Sequence, residues 1–210
     1  MRLQVPQLVK WCYNNVLWRE NSDEKCIYLT FDDGPIPEVT PQVLDILDKF
    51  GVKATFFCVG DNVRKHPKTY AEVLKRGHSV GNHTFNHLKG FSTKNADYIQ
   101  NVRKASEYIN SALLRPPHGQ ITPKQIKLLS DEYKIVMWDI ITYDYDKTFS
   151  ADGIMKIIRK RSKNGSIVVF HDSIKSEKNV LETLPQALQF WKEKEYALRV
   201  ISPHIETNNT

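Results

Sequence analysis

Cys26-Ile27-Tyr28-Leu29-Thr30-Phe31-Asp32-Asp33-Gly34-Pro35 is the stretch from which the rest of the chain can be read. Its opening residues are apolar, and their β-branched and aromatic content has the character of a buried strand. Gly34 and Pro35 stop that strand directly after two adjacent carboxylates. Successive side chains leaving a strand point to opposite sides, so Asp32 and Asp33 are expected to do different work, one facing a metal and the other a reacting group. Taken alone the pair also fits a solvated turn, because Asp-Gly and Gly-Pro are ordinary turn dipeptides.

The pattern that follows is an alternation. Thr40-Pro41 reads as an N-cap with proline at the first helical position, and Val43, Leu44, Ile46, Leu47 and Phe50 keep helical spacing up to Gly51. Further strands are expected at 54–59, 78–81, 113–115, 134–138, 166–170 and 197–201, with helices at 68–76, 93–113, 122–129, 150–163 and 180–192. Continuous apolar strands alternating with helices indicate a parallel sheet covered by helices. No glycine-rich phosphate fingerprint follows the first strand, which disfavours a dinucleotide-binding sheet. The expected fold is α/β, a distorted or incomplete (β/α) barrel with about seven parallel strands. Asp32 and Asp33 then follow strand one, His83 and His87 strand three, Arg115 strand four, Asp139 and Asp144 strand five, and His171 strand six. All are expected at the C-terminal rim, where such barrels keep their active sites.

With 210 residues, 40% hydrophobic and 26% charged, the chain has the composition of one soluble globular domain. Its net charge of +6 is spread along the sequence, so no nucleic-acid partner is expected. Cys12, Cys26 and Cys58 form no CxxC pair, which argues against a disulfide framework and a cysteine zinc site. Residues 1–24 are read as an N-terminal amphipathic segment packed on the domain, 25–202 as the domain, and 203–210 as a polar tail. Leu8, Trp11, Cys12 and Asn15 fall on one helical face of that first segment with Val5 and Val16 nearby, and Gln4, Gln7, Lys10, Asn14 and Asn15 break any continuous apolar run. It resembles neither a signal peptide nor a transmembrane span, so a cytoplasmic or membrane-peripheral location is expected, with the N-terminus as the membrane contact.

His83-Thr84-Phe85-Asn86-His87 carries two imidazoles at i and i+4, on one face if the segment is helical, a spacing that suits two ligands of one zinc ion. Asp33 as third ligand completes a two-histidine, one-carboxylate set with open positions, which is a catalytic arrangement. Zinc lowers the pKa of water towards about 7 and polarises a carbonyl. Asp32 could then act as base, Arg115 could hold it ionised, and His171 could protonate a leaving group with Asp144 raising its pKa.

Together, Thr30-Phe31-Asp32-Asp33-Gly34, His83-Thr84-Phe85-Asn86-His87, Arg115-Pro116-Pro117, Asp144-Tyr145 and Val169-Phe170-His171 closely resemble the motifs of the polysaccharide deacetylases, the NodB-homology or carbohydrate esterase family 4 enzymes. The resemblance runs from about residue 25 to 202. It implies a hydrolase that removes N-acetyl groups from an amino-sugar substrate such as peptidoglycan or chitooligosaccharide, using Zn2+ or, with the same ligands, Co2+, Ni2+ or Mn2+. It also implies Asp32 as base, His171 as acid, Arg115 and Asp144 as their partners, Asp33, His83 and His87 as metal ligands, and Pro116, His118 and Tyr145 as substrate-binding residues. Two positions depart from the family pattern: His118 stands where tyrosine is usual, and Tyr145 where tryptophan is. The family's backbone N–H at the first position helps hold the oxyanion, and Tyr145 still offers an aromatic wall. Alternative readings are a deacylase of a lipid-linked sugar or other non-polymeric amide, and a catalytically silent sugar-binding module.

Overall fold

The computed structural model describes Tyr13 and residues 16–203. The amphipathic face through Val5, Leu8, Trp11, Cys12 and Asn15 lies outside the described residues, as does the tail from 204. Among the described residues no helix is long and apolar enough to cross a membrane.

The central strand is β1 (Cys26–Asp32), buried along almost its whole length. It is followed by α1 (Thr40–Phe50), β2 (Thr55–Cys58), α2 (Gly60–Lys65), α3 (Pro67–Lys75), β3 (Ser79–Asn82), α4 (Asn95–Ser106), β4 (Leu113–Leu114), a 3-10 turn (Pro117–Gly119) and α5 (Pro123–Leu129). The second half contains β5 (Lys134–Ile135), β6 (Ile140–Ile141), α6 (Ala151–Arg161), β7 (Ser166–His171), α7 (Glu177–Glu193) and β8 (Ala197–Arg199). The strand order is β5-β4-β3-β2-β1-β7-β6, and β8 pairs with the start of β1. Every strand pair is parallel. Because β5 and β6 end the path and do not pair with each other among the described residues, the sheet is an incomplete barrel, as the alternation predicts.

The pleat of β1 divides two environments. Ile27, Leu29 and Phe31 pack outward under the helices with Val43, Leu47, Leu184 and Trp191, while Thr30 and Asp32 point inward. Phe31 stacks on Phe56 of β2 and Phe170 of β7, with ring centroids 4.9 and 6.0 Å apart, tying the three central strands together.

Several local expectations are corrected. Helix α4 ends at Ser106 rather than reaching Leu113, because Leu113 and Leu114 pair with β5 and β3 as a strand. The six-residue α2 is too short to show a period. The run after residue 134 is two strands rather than one: β6 leaves β5 and pairs with β7. Asp144 therefore follows β6. Asp139 precedes β6, at the opposite end of the barrel from the rim, where its carboxylate receives Arg19 and Ser166 at 2.7 Å each. Leu17 and Arg19 lie across the open side, bridging to Val136 and Ser166 respectively.

Candidate active site

Strand register builds the site. Asp32 at the end of β1 is the direct partner of His171 at the end of β7, and adjacent strands lie about 4.8 Å apart. On the other side, Asn82 of β3 pairs with Leu114 of β4, so the next residues, His83 and Arg115, emerge as neighbours. Arg115 links the two sides. Its Nη1 donates to Asp32 Oδ1 and Thr30 Oγ1, each at 2.7 Å, its Nη2 donates to the Met137 carbonyl at 3.0 Å, and the guanidinium lies over the Phe57 ring. The Arg115 carbonyl is 2.7 Å from His83 Nδ1, which assigns the proton of that imidazole to Nδ1 and leaves Nε2 as a lone pair.

His83 Nε2 and His87 Nε2 face Asp33 Oδ1 at 3.7 and 3.2 Å. One ligand atom from each of the three residues lies within 4.8 Å of the others. The donor set fits a divalent metal: two imidazole nitrogens and a carboxylate, with the one tautomer that can be inferred already set for ligation. Burial holds His83 down at about 4, against the upward pull of Asp32, so the imidazole is neutral, as a ligand must be. Burial would push Asp33 up, but the hydrogen bond from His87 and the nearby His171 and His83 outweigh it and hold the carboxyl well below its ordinary range.

The His83–His87 segment is not helical, contrary to one condition of its reading. Thr84 and His87 adopt left-handed φ values of 63° and 58°, and the imidazoles converge through a loop. The Asn82 side chain accepts the Thr84 N–H at 2.8 Å, Asn101 accepts that of Phe85 at 2.9 Å, and Thr84 Oγ1 accepts that of Leu88 at 2.9 Å. These side-chain acceptors replace the helical ladder.

On the far side, fully buried Asp144 receives two hydrogen bonds from His171, from Nδ1 to Oδ1 and from the backbone N–H to Oδ2, both 2.7 Å. Burial alone would lower the imidazole, but Asp144, followed by Asp33 and Asp32, raises it to about 9. Asn179 holds the Asp144 carbonyl at 2.9 Å. The Tyr145 ring meets His171 edge-on at 4.9 Å, and His118 meets His87 at 4.7 Å. His118 is exposed and has φ 57°; Pro116 is buried, and its carbonyl accepts the Gly119 N–H, so it shapes the turn that carries His118. A cleft of about 430 Å³ opens beside Asp33 and His87, lined also by Ile36, Val59, Asn62, Asn86 and Ile174.

The site thus brings together the residues the motifs single out, while Asp139, expected at the same rim, lies at the other end of the barrel, and three residues to which the sequence reading assigns no role join the site. Asn62 donates to the Asp33 carbonyl at 2.8 Å, Thr30 supports Arg115, and buried Asp172 accepts from Gly34 N and Thr40 Oγ1. Burial pushes the Asp172 carboxyl up to about 8, over the opposing hydrogen bond from Thr40. Thr30 stands inside the first motif and Asp172 directly after the last, where it also fits a helix-capping loop, whereas Asn62 carries no signal.

Residues 19–133 match the family model described as polysaccharide deacetylase. The chain is 33% identical over 196 residues to a peptidoglycan-N-acetylglucosamine deacetylase of Bacillus cereus, covering 89% of this chain and 91% of that one. It is 32% identical over 198 residues to a peptidoglycan-N-acetylmuramic acid deacetylase of Bacillus subtilis, covering 86% and 72%. The crystal structure of a peptidoglycan N-acetylglucosamine deacetylase in complex with 4-naphthalen-1-yl-N-oxidanyl-benzamide superposes with a TM-score of 0.87 at 29% identity, over 94% of this chain and 95% of that one. Two lines of likeness, in sequence and in fold, therefore meet at one conclusion: the chain belongs to the polysaccharide deacetylase family.

Proposed function

We propose that this protein is a divalent-metal-dependent hydrolase that removes N-acetyl groups from the amino sugars of peptidoglycan or a closely similar glycan. Both relatives named above carry peptidoglycan as their substrate, which supports that choice. The observation that carries the reaction type is the placement of a paired carboxylate and a cationic imidazole on neighbouring strand ends beside one His-His-Asp group.

Asp33, His83 and His87 would hold the metal, for which Zn2+ is the first choice on its donor set. When bound it supplies a lowered pKa to water and a Lewis acid for the acetyl oxygen. Asp32 is the base: Arg115 keeps its carboxylate in place, and a water between it and the acetamide gives it a proton as the water oxygen bonds to the carbonyl carbon. The His118 N–H, which no backbone carbonyl of the described residues accepts, is free to donate to the developing oxyanion. As the C–N bond breaks, the His171 imidazolium passes its proton to the nitrogen, and acetate and a free amine leave. Tyr145 walls the side of the site next to that acid.

The test is acetate release from peptidoglycan fragments and N-acetyl chito-oligosaccharides by metal-stripped protein reloaded with Zn2+ or Co2+. Metal-dependent acetate is expected, and Asp32→Asn is expected to abolish it while still binding metal. Stoichiometric metal without acetate from any of these glycans would overturn the proposal, and wild-type rates in Asp32→Asn would remove Asp32 from its role.

A further inference from the structure

Asp33 reaches the two histidines only because the chain turns sharply after β1, and that turn is unfavourable by itself. Asp33 has φ 82°, a left-handed conformation that is unfavourable for a non-glycine residue and persists only where its surroundings over-determine it. The surroundings here converge on one side chain. Asp172 is 1% exposed, and neither of its oxygens is left to water. Oδ1 accepts the Gly34 N–H at 3.1 Å, and Oδ2 accepts the Thr40 hydroxyl at 2.6 Å. Thr40 Oγ1 in turn accepts the Ile36 N–H at 2.8 Å, so the same carboxyl group ties both ends of the Gly34–Thr40 connection. The Asp172 backbone N–H donates to the Asp32 carbonyl at 3.1 Å, which closes the brace on the other side of Asp33.

Gly34 is explained by the same contact. Its φ is not left-handed, but a Cβ there would overlap the Asp172 carboxyl group, so glycine is needed for close approach. From outside, Asn62 holds the Asp33 carbonyl at 2.8 Å and Val59 N–H holds that of Gly34 at 2.9 Å. Asp172 also follows His171 directly, so one dipeptide carries the acid and the clamp on the opposite group.

We infer that Asp172 is a positioning residue whose buried carboxyl group holds the strained Asp33 turn and thereby sets how tightly, and in what geometry, the His-His-Asp group holds its metal. The inference rests on the metal assignment of the preceding section, but its test reads metal binding without any substrate. Zn2+ affinity of the full chain would be measured by competition with a chromophoric chelator. The visible absorption of the Co2+-loaded protein would report coordination geometry, and near-UV circular dichroism would verify the fold of each metal-free variant.

Asp172→Ala is expected to weaken Zn2+ binding by about 10- to 100-fold and to alter the cobalt spectrum, which is the usual effect of removing an outer partner of a metal ligand. Asp172→Asn keeps an acceptor for the Gly34 N–H and should recover most of that loss. Arg19→Ala, a contact at the opposite end of the barrel, should leave both metal readouts at wild-type values and so separates positioning from general stability. If Asp172→Ala does not fold, Thr40→Val takes its place, because it removes the hydroxyl from the same brace and should shift affinity and spectrum in the same direction. Wild-type affinity and spectrum in whichever folded variant is used would overturn the inference. A wild-type chain that binds neither Zn2+ nor Co2+ would overturn it together with the metal assignment, whereas metal binding without acetate release would leave it standing.

Discussion

Replacing Asp144 by asparagine should change the pH at which His171 surrenders its proton. In the native site, burial favours the neutral imidazole, yet Asp144, then Asp33 and Asp32, move it from the usual 6.5 up to about 9. That difference corresponds to about 3 kcal/mol in favour of the imidazolium. A dication at Asp33 would offset part of what Asp33 and Asp32 contribute but would leave the direct Asp144 contact, 2.7 Å from Nδ1, in place. Asparagine carries no charge and offers one acceptor oxygen where Asp144 serves both the Nδ1–H and the backbone N–H of His171. Burial then governs, and the imidazole falls below its ordinary value.

The assay is kcat/KM for acetate release followed from about pH 5 to about pH 10, where the basic limb reports the acid of the free enzyme. In Asp144→Asn that limb should move towards acid by about two pH units or more, with activity near neutrality reduced on the order of 10- to 100-fold. Zn2+ affinity should stay near the wild-type value. The same charge pair contributes to folding. Because the folded value lies above the unfolded one, its stabilisation is full below about pH 6.5 and is lost as pH rises through about 9, a decline the asparagine variant should lack. Superimposable pH–rate profiles for the two proteins would refute the assignment of His171 as the acid tuned by Asp144.

Arg115→Met leaves the carboxylate of Asp32 buried without its cation and should lower unfolding free energy in urea by about 3–5 kcal/mol; a loss of less than about 1 kcal/mol would mean that the pair is not held as described. Arg19→Ala removes the charged hydrogen bond to buried Asp139 and should cost about 2 kcal/mol while leaving kcat/KM of the folded enzyme unchanged, and a fall in kcat/KM would contradict the placement of that pair away from the rim. His78 is buried with Nδ1 accepting the Ala54 N–H, and burial, reinforced by Lys53, lowers it to about 4. A base whose folded value is depressed stabilises fully above about 6.5 and less as pH falls towards about 4, so up to about 3 kcal/mol should be lost across that window. His78→Gln keeps an acceptor for Ala54 and should flatten the loss in urea titrations at each pH; an unchanged acid limb would exclude His78 as its source.

What was legible in the sequence followed from period and punctuation. β1, the C-terminal placement of Asp32, Asp33, His83, Arg115 and His171, and the open barrel are all consequences of apolar runs ending at polar residues. Asp139 was misplaced because Ile140 and Ile141 form a strand of two residues, too short for any period to separate from the run before it. The His83–His87 loop was hidden for a different reason: its first left-handed residue is a threonine, a β-branched type that rarely adopts φ > 0, and the side chains that accept the loop's N–H groups include distant Asn101 as well as local Asn82. Asp172 was invisible as a clamp because its partners lie 132 and 138 residues away in the chain.

The division between strand-borne and loop-borne groups also bears on His118 and Tyr145, the two positions whose residue types differ from those the sequence resemblance leads one to expect. Asp32 and His171 are placed by strand register, and His83 and Arg115 by the neighbouring ends of β3 and β4, so their mutual positions follow from hydrogen bonding between backbones. A changed side chain at any of these positions leaves the strand ends in register. His118 and Tyr145 instead sit in a 3-10 turn and in the loop after β6, where their rings meet His87 and His171 edge-on from the solvent side. A side chain there can change without moving the ends of the strands. The oxyanion donor proposed at His118 is a backbone N–H, which tyrosine and histidine supply alike. A change at either position therefore alters what the rim presents while leaving Asp32 and His171, the proposed base and acid, where the sheet puts them.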